Sequence, residues 1–154
     1  MASKRKITLN RRDVVARIVK DRSDTLVVTG LGSATWDAAA AGDHPNNFYL
    51  WGGMGAAAVT GLGLARAQPD RRVIVLTGDG EMLMGIGALA TIAVAAPANL
   101  AVCVIDNQHY GETGMQEAHT SHGVDLAGMA AAAGFANTAT VWTKKDVEGA
   151  LPLL

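Results

Sequence analysis

A single cysteine stands among 154 residues. Cys103 excludes a disulfide framework, and a chain without such staples suits a reducing compartment, read here as the cytoplasm. It lies inside an apolar run and is expected to be buried and inert, because reactive thiolates need an exposed, electropositive setting. Net charge is almost absent too: 13 basic against 14 acidic side chains leave −1, so no cationic surface invites nucleic acid or an anionic membrane. No apolar run approaches the ~18 residues that cross a bilayer. The longest, from Ala88 to Ala96, is broken by Thr91 and stopped by Pro97. The basic start, MASKRK, is followed by no apolar core and is not expected to be a secretory leader. Repeats, low-complexity tracts and linkers are missing, so the 49% apolar content predicts one folded domain over residues 1–154. A dinucleotide fingerprint is missing as well. Gly30-Leu31-Gly32 follows the first strand-like run, but Thr35 stands where the third glycine belongs, which weakens a nucleotide-binding Rossmann reading.

What is present alternates strand-like and helix-like segments. Val14, Val15, Ile18 and Val19 recur at helical spacing within 11–20. Strands are expected at 26–29, 48–50, 73–77, 100–105 and 138–142. Helices are expected at 34–41 with Ser33 as cap, at 56–68, at 83–95, at 125–133 with Asp125 as cap, and from Lys144. This rhythm predicts an α/β fold, a doubly wound parallel sheet with helices on both faces. A sheet of this kind takes a further strand after the last helix, so that edge is expected to need a further strand or a partner.

The chemistry gathers at two strand ends. The run at Val73 ends in Gly78-Asp79-Gly80, and the run at Leu100 ends in Asp106-Asn107. In a right-handed βαβ unit both ends fall at one sheet edge. A carboxylate and an amide there, with glycines admitting close backbone, form an oxygen-ligand site for a hard cation that holds phosphates. Asp79 and Asn107 would ligate Mg²⁺, with the backbone carbonyl of His109 as a third oxygen. The competing role for Asp79 is that of a turn residue accepting backbone N–H groups. The 28-residue spacing from Asp79 to Asn107 favours the cation. Met54 has two readings, core filler or ligand contact. His119 and His122 suit an anionic substrate head or proton transfer, or are solvated loop residues. Trp36, Trp51 and Trp142 are expected in the core or an interface.

The pair GDG and Asn, some 25–30 residues apart after successive strands, resembles the thiamin-diphosphate binding motif. NFYLWGGMGAAAVTGLGLARAQPDRRVIVLTGDG resembles the cofactor-diphosphate domain of thiamin-diphosphate-dependent decarboxylases. Asp106 to Gln116, with His119 to Ser121, is similar to the β subunits of sulfopyruvate decarboxylases and to phosphonopyruvate decarboxylases. Asp106 departs from a first Asn, and Glu81 from a Ser, that many members carry.

The resemblance implies thiamin diphosphate and Mg²⁺ as cofactors, with Asp79, Asn107 and the His109 carbonyl on the metal. It implies that Gly32, Ser33, Gly78, Gly80, Glu81 and Met82 surround the diphosphate, and that Tyr110, Gly111 and Glu112 lie near it. Gly52, Gly53 and Met54 would meet the rest of the cofactor, Met54 as the bulky residue that props it into its bent shape. The implied reaction converts a 2-oxo acid, foremost 3-sulfopyruvate or 3-phosphonopyruvate, to an aldehyde and CO₂. Alternatives are a carboligase or synthase acting on another 2-oxo acid, and a non-catalytic cofactor-binding subunit. In this family an activating Glu comes from a separate pyrimidine-binding domain, for which 154 residues leave no room. An α subunit is therefore expected to supply it, in an α2β2 or larger assembly.

Overall fold

The computed structural model describes residues 9–154. The MASKRK start, and its reading as no leader, lie outside the described residues. The first helix, α1 (Arg11–Val19), is opened by Asn10, whose side chain accepts from the N–H groups of Arg12 and Asp13. Then follow β1 (Leu26–Thr29), α2 (Ser33–Ala40), β2 (Asn47–Tyr49), α3 (Ala57–Ala67), β3 (Val73–Gly78), α4 (Asp79–Met84), α5 (Gly87–Ala95) and β4 (Leu100–Ile105). A small hairpin, β5 (His109–Tyr110) and β6 (Gln116–Glu117), precedes a 3-10 turn at His119–His122. The chain continues through α6 (Leu126–Ala133) and α7 (Lys144–Ala150). Among the described residues no helix is long and apolar enough to cross a membrane.

The main sheet is fully parallel, in the order β2-β1-β3-β4. Alternation along β3 divides the core. Ile74 and Leu76 pack with Val15, Ile18, Ala34 and Ala38 of α1 and α2. Val73 and Val75 pack with Ala57 and Ala65 of α3 on the other face. α5 and α6 extend that second face through Leu89, Ile92, Leu126 and Ala130. So the expected layering holds. β3 is buried from Val73 to Thr77 and reads as a near-continuous apolar run because both its faces are covered.

Several local expectations are corrected. Ser33 is not a cap: Gly32 takes that place at φ 80° without a side-chain bond, and Ser33 is the first helical residue. The helix expected at 83–95 is two helices, α4 and α5. Helix starts at Asp79, and the break falls at Gly85, where an added Cβ would come within 1.9 Å of the Gly55 carbonyl oxygen. Backbone from the loop before α3 therefore occupies the groove a continuous helix would fill. Residues 138–142 form no strand, because no sheet strand pairs with them. β4 is consequently the edge, and all six of its apolar residues are half-buried. Of the two places expected for Trp36 and Trp51, core or interface, the core is excluded: they are 56% and 53% exposed and meet edge to face, centroids 5.2 Å apart.

Candidate functional site

Parallel pairing sends the loops that follow β1, β2, β3 and β4 to one edge of the sheet. The last pair of the β3–β4 ladder is Gly78↔Ile105. The next residues are therefore neighbours: Asp79 stands beside Asp106, with Asn107 one step further. Asp79 is 1% exposed. Asp106 and Asn107 lie in the exposed turn above it.

Thr120 closes this corner. Its hydroxyl lies 2.9 Å from Asp79 Oδ2 and 2.8 Å from Asp106 Oδ1, and the residue is buried. A hydroxyl carries one proton, so only one carboxylate receives its bond at a time. The Asp79 carboxyl is held above its ordinary range, first by burial and then by the nearby Asp106 charge, against the opposing hydrogen bonds of Thr120 and backbone N–H groups. Among the described residues neither carboxylate has a Lys, Arg or His ion-pair partner.

The strand-end turn is tightly folded. Gln108 N–H donates to Asp106 Oδ1 at 2.9 Å, and His109 N–H to Asn107 Oδ1 at 3.0 Å, with Gln108 at φ 65°. Asn107 Oδ1 keeps a second lone pair, whereas Asp106 Oδ1 also faces the Thr120 hydroxyl. His109 contributes backbone here, while its ring nitrogen stays local, 3.0 Å from the Asn107 carbonyl.

Four glycines show how closely the loops approach. A Cβ on Gly30 would lie 1.6 Å from Glu81 Oε2, and one on Gly32 would lie 2.8 Å from the Glu112 side chain. On Gly80 it would strike the Tyr110 ring at 2.4 Å, and on Gly55 the Gly85 backbone at 2.9 Å. The Gly30–Ser33 turn, the start of α4 and the hairpin at Tyr110–Glu112 thus form one cluster, with Gly111 exposed beside it. Gly80, Glu81 and Met82 sit in the first turn of α4, all buried. The Glu81 side chain points inward rather than to a ligand. Thr77 Oγ1 donates to its Oε2 at 2.8 Å. The carboxylate of Glu112 beside Gly32 suits a cation or a hydroxyl rather than a bare phosphate oxygen.

Gly52, Gly53 and Met54 follow β2 in an exposed loop, with Gly53 at φ 63° and Met54 37% exposed. Core filling does not describe Met54. His119 and His122 flank Thr120 on the 3-10 turn, and His122 Nε2 lies 3.2 Å from Glu117 Oε2. Cys103 packs against the α1–α2 face, and burial pushes its thiol up to about 11.

The donor set fits a magnesium-bound diphosphate. A buried carboxylate without a cationic partner, an amide oxygen and a backbone carbonyl are hard oxygen ligands, too few to complete an octahedron, which leaves places for phosphate oxygens and water. Among the described residues no three His, Cys, Asp or Glu side chains form a metal cage. Asp106, Thr120 and the inward Glu81 side chain carry the geometry beyond what sequence spacing supplies. Asp106 was readable from its place at the strand end. Thr120 stood out only as part of the His119–Ser121 stretch, and its contact with Asp79, 41 residues away, left no local signal.

Residues 30–152 match the thiamine pyrophosphate enzyme family model, C-terminal TPP binding domain. The chain is 40% identical over 127 residues to a sulfopyruvate decarboxylase subunit beta of Methanothermobacter thermautotrophicus, covering 82% of this chain and 68% of that protein. It is 39% identical over 128 residues to a phosphonopyruvate decarboxylase of Streptomyces viridochromogenes, covering 83% of this chain and 32% of the other. A putative thiamin diphosphate-dependent enzyme from Mycobacterium smegmatis shares the fold at a TM-score of 0.79 and 25% identity, over 95% of this chain and 29% of that one. The chain spans about a third of the length of several relatives, and between 60% and 73% of those named as β subunits. It belongs to the family of thiamine pyrophosphate-binding C-terminal domains.

Proposed function

We propose that this family member is the cofactor-diphosphate subunit of a heteromeric, thiamin-diphosphate- and Mg²⁺-dependent 2-oxo acid decarboxylase. Its leading substrates are 3-sulfopyruvate and 3-phosphonopyruvate, converted to the aldehyde and CO₂ in the cytoplasm. The observation that carries this reading is the corner where the Thr120 hydroxyl joins Asp79 to Asp106, with Asn107 next in the strand-end turn.

Residues 1–154 act as one diphosphate-binding domain. Asp79, Asn107 and the His109 carbonyl would hold Mg²⁺, and the backbone of Gly80, Glu81 and Met82 would face the diphosphate. When bound, thiamin diphosphate supplies an electron sink for cleavage of the bond between the 2-oxo carbon and the carboxylate. Met54 orients, and the loops around Gly30, Gly53 and Tyr110 exclude water. Placing reacting groups together in this way supplies several kcal/mol, of the order of well-oriented intramolecular reactions. His119 and His122, which flank Thr120 on the turn tied to Asp79, would receive an anionic sulfonate or phosphonate.

Lengths among relatives support a partner. This chain aligns with most of a β subunit but only 32% of the longer phosphonopyruvate decarboxylase, whose remaining length is of a size to carry the other half of a shared site. The partner would be an α subunit with the pyrimidine-binding domain and the activating Glu, in an α2β2 or larger complex. The test combines this chain with its candidate α subunit, Mg²⁺ and thiamin diphosphate, and follows CO₂ and aldehyde from each oxo acid. Activity with both chains and none with either alone is expected. Wild-type-like turnover by this chain alone contradicts the heteromer, and ketol in place of aldehyde contradicts simple decarboxylation.

A further inference from the structure

We infer that Thr120 is a positioning residue for the cation site, tying the loop that carries His119 and His122 to Asp79. The inference rests on the proposed cofactor reading and adds a residue to it.

The turn that carries Thr120 is anchored. Ala118 is fully buried, its N–H donates to the Gln108 carbonyl at 2.7 Å, and Ser121 Oγ donates back to the Ala118 carbonyl at 2.8 Å. Thr120 is 6% exposed, so its hydroxyl is fixed among protein groups. From there it reaches one oxygen of Asp79, 41 residues away, and one of Asp106, 14 residues away. Asp106 Oδ1 is also held by Gln108 N–H at 2.9 Å. Three segments that share no covalent neighbourhood therefore meet on a single hydroxyl.

The physical consequence concerns rotation of the carboxylates. Two like charges here repel, and the shared hydroxyl, together with the Gln108 N–H on Asp106 and the backbone N–H groups on Asp79, opposes their rotation apart. Thr120 holds Asp79 in one rotamer, ready to ligate, and keeps the second negative charge of Asp106 beside the cation. Groups that orient metal ligands change metal affinity about 10–100-fold when removed. The same contact fixes the height of the histidine turn over the corner. A loss of the hydroxyl thus reaches both the metal and the substrate side.

The experiment titrates Mn²⁺ alone, followed by electron paramagnetic resonance, into the wild-type chain and into Thr120→Val, Thr120→Ser and Asp79→Ala, with unfolding midpoints measured on the same metal-free samples. Thr120→Val keeps the shape and removes the hydroxyl. A rise of 10-fold or more in the Mn²⁺ dissociation constant, with Thr120→Ser within about 3-fold of wild type, supports the assignment. A loss in Thr120→Val that Ser does not restore, matched by a collapsed unfolding midpoint in both, makes the role one of packing and overturns it. Wild-type affinity in Thr120→Val overturns it while leaving the cofactor reading intact. No saturable Mn²⁺ binding by wild type, or binding unchanged by Asp79→Ala, overturns both.

Discussion

Thr77 Oγ1 donates to Glu81 Oε2 at 2.8 Å, while Glu81 Oε1 meets no hydrogen-bond partner among the described residues. This carboxyl lies 3% exposed against the backbone of Gly30, whose missing Cβ leaves the space it fills. The two loops proposed to hold a diphosphate are therefore locked by one side chain and one glycine. Gly30→Ala is expected to cost about 1–3 kcal/mol by overpacking. Glu81→Ser removes the obstructing oxygen, so Gly30→Ala costs less in that background. Denaturant unfolding of the two single variants and the double variant measures the coupling, expected at about 0.5–3 kcal/mol. Strict additivity would mean that the two do not touch in solution.

Met54 separates stability from function. At 37% exposure it buries little, so Met54→Ala is expected to cost less than about 1 kcal/mol of stability, well below the 2–5 kcal/mol of a buried Met. With the α subunit present, kcat should fall about 10-fold or more while the unfolding midpoint stays. Full activity would remove Met54 from the cofactor surroundings.

Asp79 gives a pH dependence with a definite sign. Its carboxyl is raised in the folded chain by burial and by Asp106. Such a group contributes stability that is fully present below the ordinary carboxylate value of about 3.9 and is lost as pH rises through the raised value. At neutral pH the metal-free chain thus carries an unfavourable charge. Asp79→Asn is expected to raise its stability there, with the difference fading as pH falls below the carboxylate range. Mg²⁺ with thiamin diphosphate should stabilise the wild type and not the variant. Calorimetric melting over pH, with and without Mg²⁺ and cofactor, checks both signs.

Cys103 offers a second titration. With the thiol pushed up to about 11, thiolate at pH 8 is about one part in a thousand, against a fifth or more for a free cysteine. Alkylation of the folded chain at pH 8 should be slower than that of the denatured chain by about two orders of magnitude. Equal rates would show that the edge strand opens freely.

The sheet was legible because β1, β3 and β4 are apolar runs punctuated by glycine or a carboxylate, and Asp79 was legible because it ends the most buried run. Other features depend on contacts between distant segments. The break at Gly85 arises from the Gly55 carbonyl, which no local pattern reports. Residues 138–142 have β-branched character, yet a strand exists only with a neighbour to pair, and β4 remains unpaired on that side. Ser33 has the chemistry of a cap, but the turn places Gly32 at φ 80° there. Within the site, Asn107 was readable from its spacing to Asp79. The meeting of Asp79 with Asp106 needed the register Gly78↔Ile105, and Thr120 needed the folded loop.

The most direct measurement is calorimetric titration of thiamin diphosphate with Mg²⁺ into this chain, with and without its α subunit, for wild type and Asp79→Ala. Saturable Mg²⁺-dependent binding that strengthens when both chains are present and vanishes in Asp79→Ala is the predicted result. No binding by wild type under either condition, or equal binding by Asp79→Ala, would contradict the account.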